Sequence, residues 1–137
     1  MARILLVEDD EMVRETMQRQ LENAGHDVLT ARHGGEGLKA VEAGGLDLIV
    51  SDILMPEVEG IEFIMAVRRS GDMVPIIAIT GGLPRAGAGR GIDYLDLSAK
   101  LGASAIIRKP FTGRQLLQVV DDCLARGAEP RPRRQVD

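Results

Sequence analysis

Apolar residues gather in five short runs, at 4–7, 28–31, 46–50, 75–79 and 105–107, separated by longer amphipathic stretches. Between the first two runs Val13, Met17, Leu21 and Ala24 recur at spacings of four, four and three, the period of one helical face. Gly25 then predicts the helix stop. Residues 35–43 predict a second helix with Leu38 and Val41 facing inward, and residues 61–67 a third, ended by Ser70-Gly71. A short fourth helix is expected over 94–101, closed by Gly102. The last begins at Thr112, which with Gln115 forms a capping-box pattern, and buries Leu116, Val120, Cys123 and Leu124.

Five strands alternating with five helices predict an α/β domain built on a parallel sheet. Runs this apolar suit strands buried on both faces, and right-handed crossovers place helices on both sides. Strand order does not follow from the pattern. Ligands of such sheets bind beyond the carboxyl ends of the strands, so the residues that end the runs are the ones to inspect.

Composition narrows the picture. A chain of 137 residues is one domain's worth, here 1–126, with 127–137 as a flexible tail or the start of a linker carrying Pro130, Pro132 and three arginines. Phe63, Phe111 and Tyr94 are the only aromatics, so the core must be aliphatic. A net charge of −4 argues against a general binder of nucleic acid or membrane surfaces. Cys123 has no disulfide partner and reads as small core filler. No signal-peptide pattern and no run of about 20 apolar residues is present, so a cytoplasmic protein is expected. His26 and His33 are isolated and read as turn or surface residues. The glycine-rich stretch 87–91 lacks a following Lys-Ser/Thr and reads as a loop, not a nucleotide cradle.

At the run ends stand Glu8 and Asp9, Asp52, Thr80 and Lys109. Loop polarity explains any one of them but not three acids on one sheet edge. Two unit charges ~4 Å apart repel by about 4 kcal/mol at an effective dielectric of about 20. Such a cluster needs a cation, or one acid must stay protonated. A hard divalent ion suits carboxylates and water, and Lys109 can neutralise the remainder and hold a phosphoryl oxygen.

The matching stretches are residues 4–10 (Ile-Leu-Leu-Val-Glu-Asp-Asp), 50–56 (Val-Ser-Asp-Ile-Leu-Met-Pro) with Gly60, Ile79-Thr80-Gly81, and Lys109-Pro110-Phe111. Their order and spacing resemble the response-regulator receiver domain of two-component signal transduction, over about residues 2–126. The resemblance implies a flavodoxin-like sheet of order 2-1-3-4-5, for which a receiver protein is itself a standard example. It implies that Asp52 is the phosphoacceptor, that Asp9 binds magnesium directly and Glu8 through water, and that the Leu54 carbonyl completes the site, with manganese as a substitute ion. Thr80 and Lys109 would bind the phosphoryl group, and the Lys109-Pro110 bond would be cis. The donor would be a histidine kinase or a histidine phosphotransfer protein. A downstream protein would dock on the face of the fourth helix, fifth strand and fifth helix.

One departure stands out. Where the family carries an aromatic switch residue this chain has Ile106, so the glycine-rich segment 81–91 and the helix after it, including Tyr94, are expected to carry the signal. Two other classes compete. A magnesium-dependent phosphohydrolase also uses an aspartyl nucleophile, but Leu54 stands where its second aspartate belongs. A docking module without phosphorylation would not need the full acceptor set. No DNA-binding or catalytic output domain follows Arg126, which leaves open a stand-alone regulator or a piece of a longer chain.

Overall fold

The computed structural model of the chain describes residues 2–53, 59–80 and 102–127. Its elements run β1 (Arg3–Val7), α1 (Glu11–Asn23), β2 (Asp27–Ala31), α2 (Gly34–Ala43), β3 (Leu48–Asp52), α3 (Glu59–Arg69), β4 (Ile76–Thr80), β5 (Ala105–Arg108) and a C-terminal helix, α4 (Gly113–Gly127). The expected helix at 94–101, the glycine-rich segment before it and the tail beyond 127 lie outside the described residues.

All five strands are parallel, in the order β2-β1-β3-β4-β5 that the resemblance implied. Side chains alternate across a strand, and the core divides accordingly. Ile4, Leu6, Leu48, Val50, Ile77, Ile79 and Ile107 pack with Met17 and Leu21 of α1 and Leu116, Val120 and Cys123 of α4. Leu5, Val7, Ile49, Ile76 and Ala78 pack on the other face with Val41 of α2 and Phe63, Ile64 and Val67 of α3. The core is aliphatic apart from Phe63, and Cys123 is buried filler.

Local chemistry sets the boundaries. The Asp10 side chain caps α1 by accepting from Val13 N, and Gly25 ends that helix region with φ +98, a conformation that favours glycine. Thr112 Oγ1 accepts from Gln115 N at 3.0 Å while Gln115 Oε1 accepts from Thr112 N at 2.8 Å, which completes the capping box of α4. The third strand begins two residues later than the apolar run suggested. Asp47, inside that run, turns its Oδ2 to the amide of Arg3, so the ladder starts at Leu48 and extends through Ser51 to Asp52. Arg68 fastens the α3–β4 turn, donating to the carbonyls of Asp72, Val74 and Gly102.

Candidate functional site

Register brings the run-ending residues together. Val7 pairs with Ser51, Asp52 with Ile79, and Thr80 with Arg108. Glu8, Asp52, Thr80 and Lys109 therefore sit at or one step beyond the carboxyl ends of four strands, which is where ligands of open α/β sheets bind. Lys109 N donates to Thr80 O at 2.9 Å, and Ile53 N to Ile79 O at 2.9 Å, so the chain leaving β3 and the chain leaving β5 both stay tied to β4. The Lys109-Pro110 bond is cis.

Oxygens of Glu8, Asp9 and Asp52 all lie within 4.8 Å of one another. Asp52 and Glu8 are buried, while Asp9 is exposed. Lys109 Nζ donates to Asp52 Oδ2 at 3.1 Å and lies 4.0 Å from Glu8 Oε1. Burial pushes the Glu8 carboxyl up to about 7; the Asp10 amide opposes that rise, the charge of Asp52 adds to it, and Lys109 opposes it. Burial pulls the Lys109 ammonium down, but its hydrogen bond to Asp52 and the charges of Asp52, Glu8 and Asp9 outweigh that, so it is held above its ordinary value.

Two buried oxygens, Glu8 Oε1 and Thr80 Oγ1, have no hydrogen-bond partner among the described residues. Such groups are costly unless a ligand, ion or water completes them. Three carboxylates against one ammonium leave an excess of negative charge, and all the donors are hard oxygens. The site therefore fits a divalent cation of the magnesium type. The Leu54 carbonyl, expected to join it, lies outside the described residues.

Helix α3 comes in close behind Asp52. A Cβ built on Gly60 would collide with the Asp52 carbonyl oxygen and lie 2.5 Å from the Cα of Ile53. Only glycine lets the first turn of α3 approach the backbone that carries Asp52. Ile106 is half-buried, pairs with Ala78 and packs in the α2/α3 layer. Both histidines have structural work: His26 Nδ1 accepts from Ala2 N at 3.2 Å, and His33 caps α2 by accepting from Glu36 N at 3.3 Å. Sequence reasoning missed Asp10 as the cap of α1 and Arg14, whose Nη1 donates to the Glu8 carbonyl at 3.0 Å. A cap at Asp10 was readable from an acid standing just before a helical period; the reach of Arg14 was not.

Comparison with known proteins agrees with this geometry. Residues 4–121 match the family model described as the response regulator receiver domain. The chain is 35% identical over 130 residues to the alkaline phosphatase synthesis transcriptional regulatory protein PhoP of Bacillus subtilis, covering 95% of this chain and 51% of that one. It is 35% identical over 127 residues to the transcriptional regulatory protein AfsQ1 of Streptomyces coelicolor, covering 93% and 53%. The chain thus spans about half the length of these curated relatives. Among solved structures, a CheY-like receiver domain protein from Methanospirillum hungatei superimposes with a TM-score of 0.80 at 29% identity, covering 93% of this chain and 96% of that one. The chemotaxis protein CheY4 of Vibrio cholerae does so with a TM-score of 0.78 at 30% identity, covering 90% and 98%.

Proposed function

The chain belongs to the response regulator receiver domain family, and on that premise we propose that it accepts a phosphoryl group on Asp52 from a histidine kinase or a histidine phosphotransfer protein. The observation that carries this is the buried Asp52 carboxylate at the end of β3, bonded to Lys109 and grouped with Glu8 and Asp9. A carboxylate oxygen of Asp52 attacks the phosphorus of phosphohistidine, the P–N bond breaks, and the imidazole leaves with its electron pair. The product is an acyl phosphate.

Such a transfer needs positioning and charge neutralisation more than covalent help. Lys109 supplies a fixed positive charge beside the acceptor. Thr80 supplies a hydroxyl that the described residues leave unengaged, at hand for a phosphoryl oxygen. Glu8, Asp9 and Asp52 would hold magnesium, with Leu54 contributing its carbonyl; when bound, the ion neutralises charge on the transferring phosphoryl oxygens. Water then hydrolyses the acyl phosphate and resets the domain; each cycle needs a reactive donor such as phosphohistidine, so turnover of small phosphate esters is not expected. A phosphoryl group adds about −1.5 to −2 charge, and its capture by Thr80 is the step that would alter the face of the 94–101 segment, β5 and α4 for a protein partner. Among the described residues no helix is long and apolar enough to cross a membrane.

Labelling with radioactive acetyl phosphate tests this. The wild-type chain should take up one phosphoryl group in a magnesium-dependent, hydroxylamine-labile bond, and Asp52→Asn should take up none. Undiminished labelling of Asp52→Asn would refute the assignment.

A further inference from the structure

Arg14 has no part in the chemistry above, yet it touches the site's backbone. It lies one turn into α1, half-buried, and its Nη1 reaches the carbonyl of Glu8. That carbonyl stands where the sheet stops. Glu8 N still donates to Ala31 O at 3.0 Å, but β1 has ended at Val7. A backbone carbonyl beyond the ladder at the edge of the core needs another donor, and Arg14 provides it.

Glu8 is gripped elsewhere as well. Its Oε2 accepts from Asp10 N at 3.1 Å, and Asp10 is itself fixed as the cap of α1. The amide, the carbonyl and one carboxylate oxygen of Glu8 are thus all held, and Oε1 alone is left toward the site. The carbonyl that Arg14 holds belongs to the Glu8-Asp9 peptide. A peptide unit is a rigid plane, so fixing its oxygen also fixes the direction in which the chain enters Asp9.

We propose that Arg14 is a positioning residue for the acid pair: by holding the Glu8-Asp9 peptide it keeps both carboxylates turned toward Asp52, and so sets the affinity of the site for its divalent cation. This rests on the reading of Glu8, Asp9 and Asp52 as that cation's site. Groups that orient metal ligands without touching the metal typically change affinity by about 10- to 100-fold when removed.

Manganese titration followed by electron paramagnetic resonance tests it on the intact chain, at a temperature where thermal denaturation shows each variant folded. Arg14→Met and Arg14→Gln both keep a good helix former and remove the guanidinium; each should bind Mn2+ roughly tenfold more weakly. Arg14→Lys should recover part of the loss, and Arg19→Gln, on the exposed side of the same helix, should show none. In acetyl phosphate labelling, the half-saturating magnesium concentration should rise in Arg14→Met while the rate at saturating magnesium is largely kept. A variant that loses stability but binds Mn2+ like wild type would reduce Arg14 to a staple between α1 and β1 and overturn the proposal. Failure of the wild-type chain to bind Mn2+ would bring down the cation-site reading itself, and the role of Arg14 with it.

Discussion

The Nζ of Lys109 lies 3.1 Å from Oδ2 of Asp52 and 4.0 Å from Oε1 of Glu8, so one ammonium spans both buried carboxylates. Lys109→Met keeps the stem and removes the charge. Loss of one preorganised electrostatic donor slows group transfer by about a hundredfold or more. The initial rate of labelling by acetyl phosphate should fall by about that factor at saturating magnesium. A rate within severalfold of wild type would mean that the ion pair is only structural.

Gly60→Ala sets two effects against each other. Replacing glycine by alanine inside a helix normally gains about 1 kcal/mol. Here the new methyl meets the Asp52 carbonyl and the Cα of Ile53, backbone atoms that cannot swing aside. Overpacking of that kind costs typically about 1–3 kcal/mol, so the collision should win. Urea denaturation should show a net loss of stability, accompanied by slower phosphoryl uptake as α3 pushes the acceptor out of line. Glu62→Ala on the exposed face of the same helix should show neither.

Acid should weaken the β2–α2 corner in a defined window. Hydrogen bonds from the Arg32 side chain and backbone hold the exposed Glu36 carboxyl down to about 2, against an ordinary value of 4.5. The lowered value means that the pair's full contribution is present above the ordinary value. As pH falls through the window the unfolded chain takes up the proton first, and the contribution is gone once the folded chain is protonated too. Glu36→Gln should therefore be slightly less stable than wild type near neutrality, and the gap should close toward about pH 2. High salt should shrink it at all pH values, as for any exposed pair. A gap that widens on acidification would contradict the sign.

What the sequence disclosed tracks how local each feature is. The capping box of α4 joins Thr112 to Gln115, three residues apart, and was readable. So were the stripe of α1, except that Ala24 is the exposed C-cap and not part of the buried face, and the run-ending acids, because a helical period and a strand end are local patterns. Strand order came only with the family resemblance, since crossover choices leave no periodic trace. The start of β3 was misplaced because Asp47 sits in an apolar run yet bonds to Arg3, 44 residues away. The reach of Arg68 to Gly102 spans 34 residues and likewise has no signature in the chain. Gly60 was visible as a matching position, but its reason, contact with the Asp52 backbone, exists only in three dimensions.

The split of the core into two aliphatic layers has a mechanical meaning. Glu8 continues the series Ile4, Leu6; Asp52 continues Leu48, Val50; Lys109 continues Ala105, Ile107: all three series pack against α1 and α4. Thr80 continues Ile76, Ala78, the series that packs against α2 and α3 together with Ile106. By the alternation of strand side chains, Asp52 and the Thr80 hydroxyl belong to opposite layers that the backbone of the sheet keeps apart. A phosphoryl group bonded to both would act as a stitch through the sheet. Under the proposed function the pull would begin in one layer and arrive in the other, where Ile106 is seated.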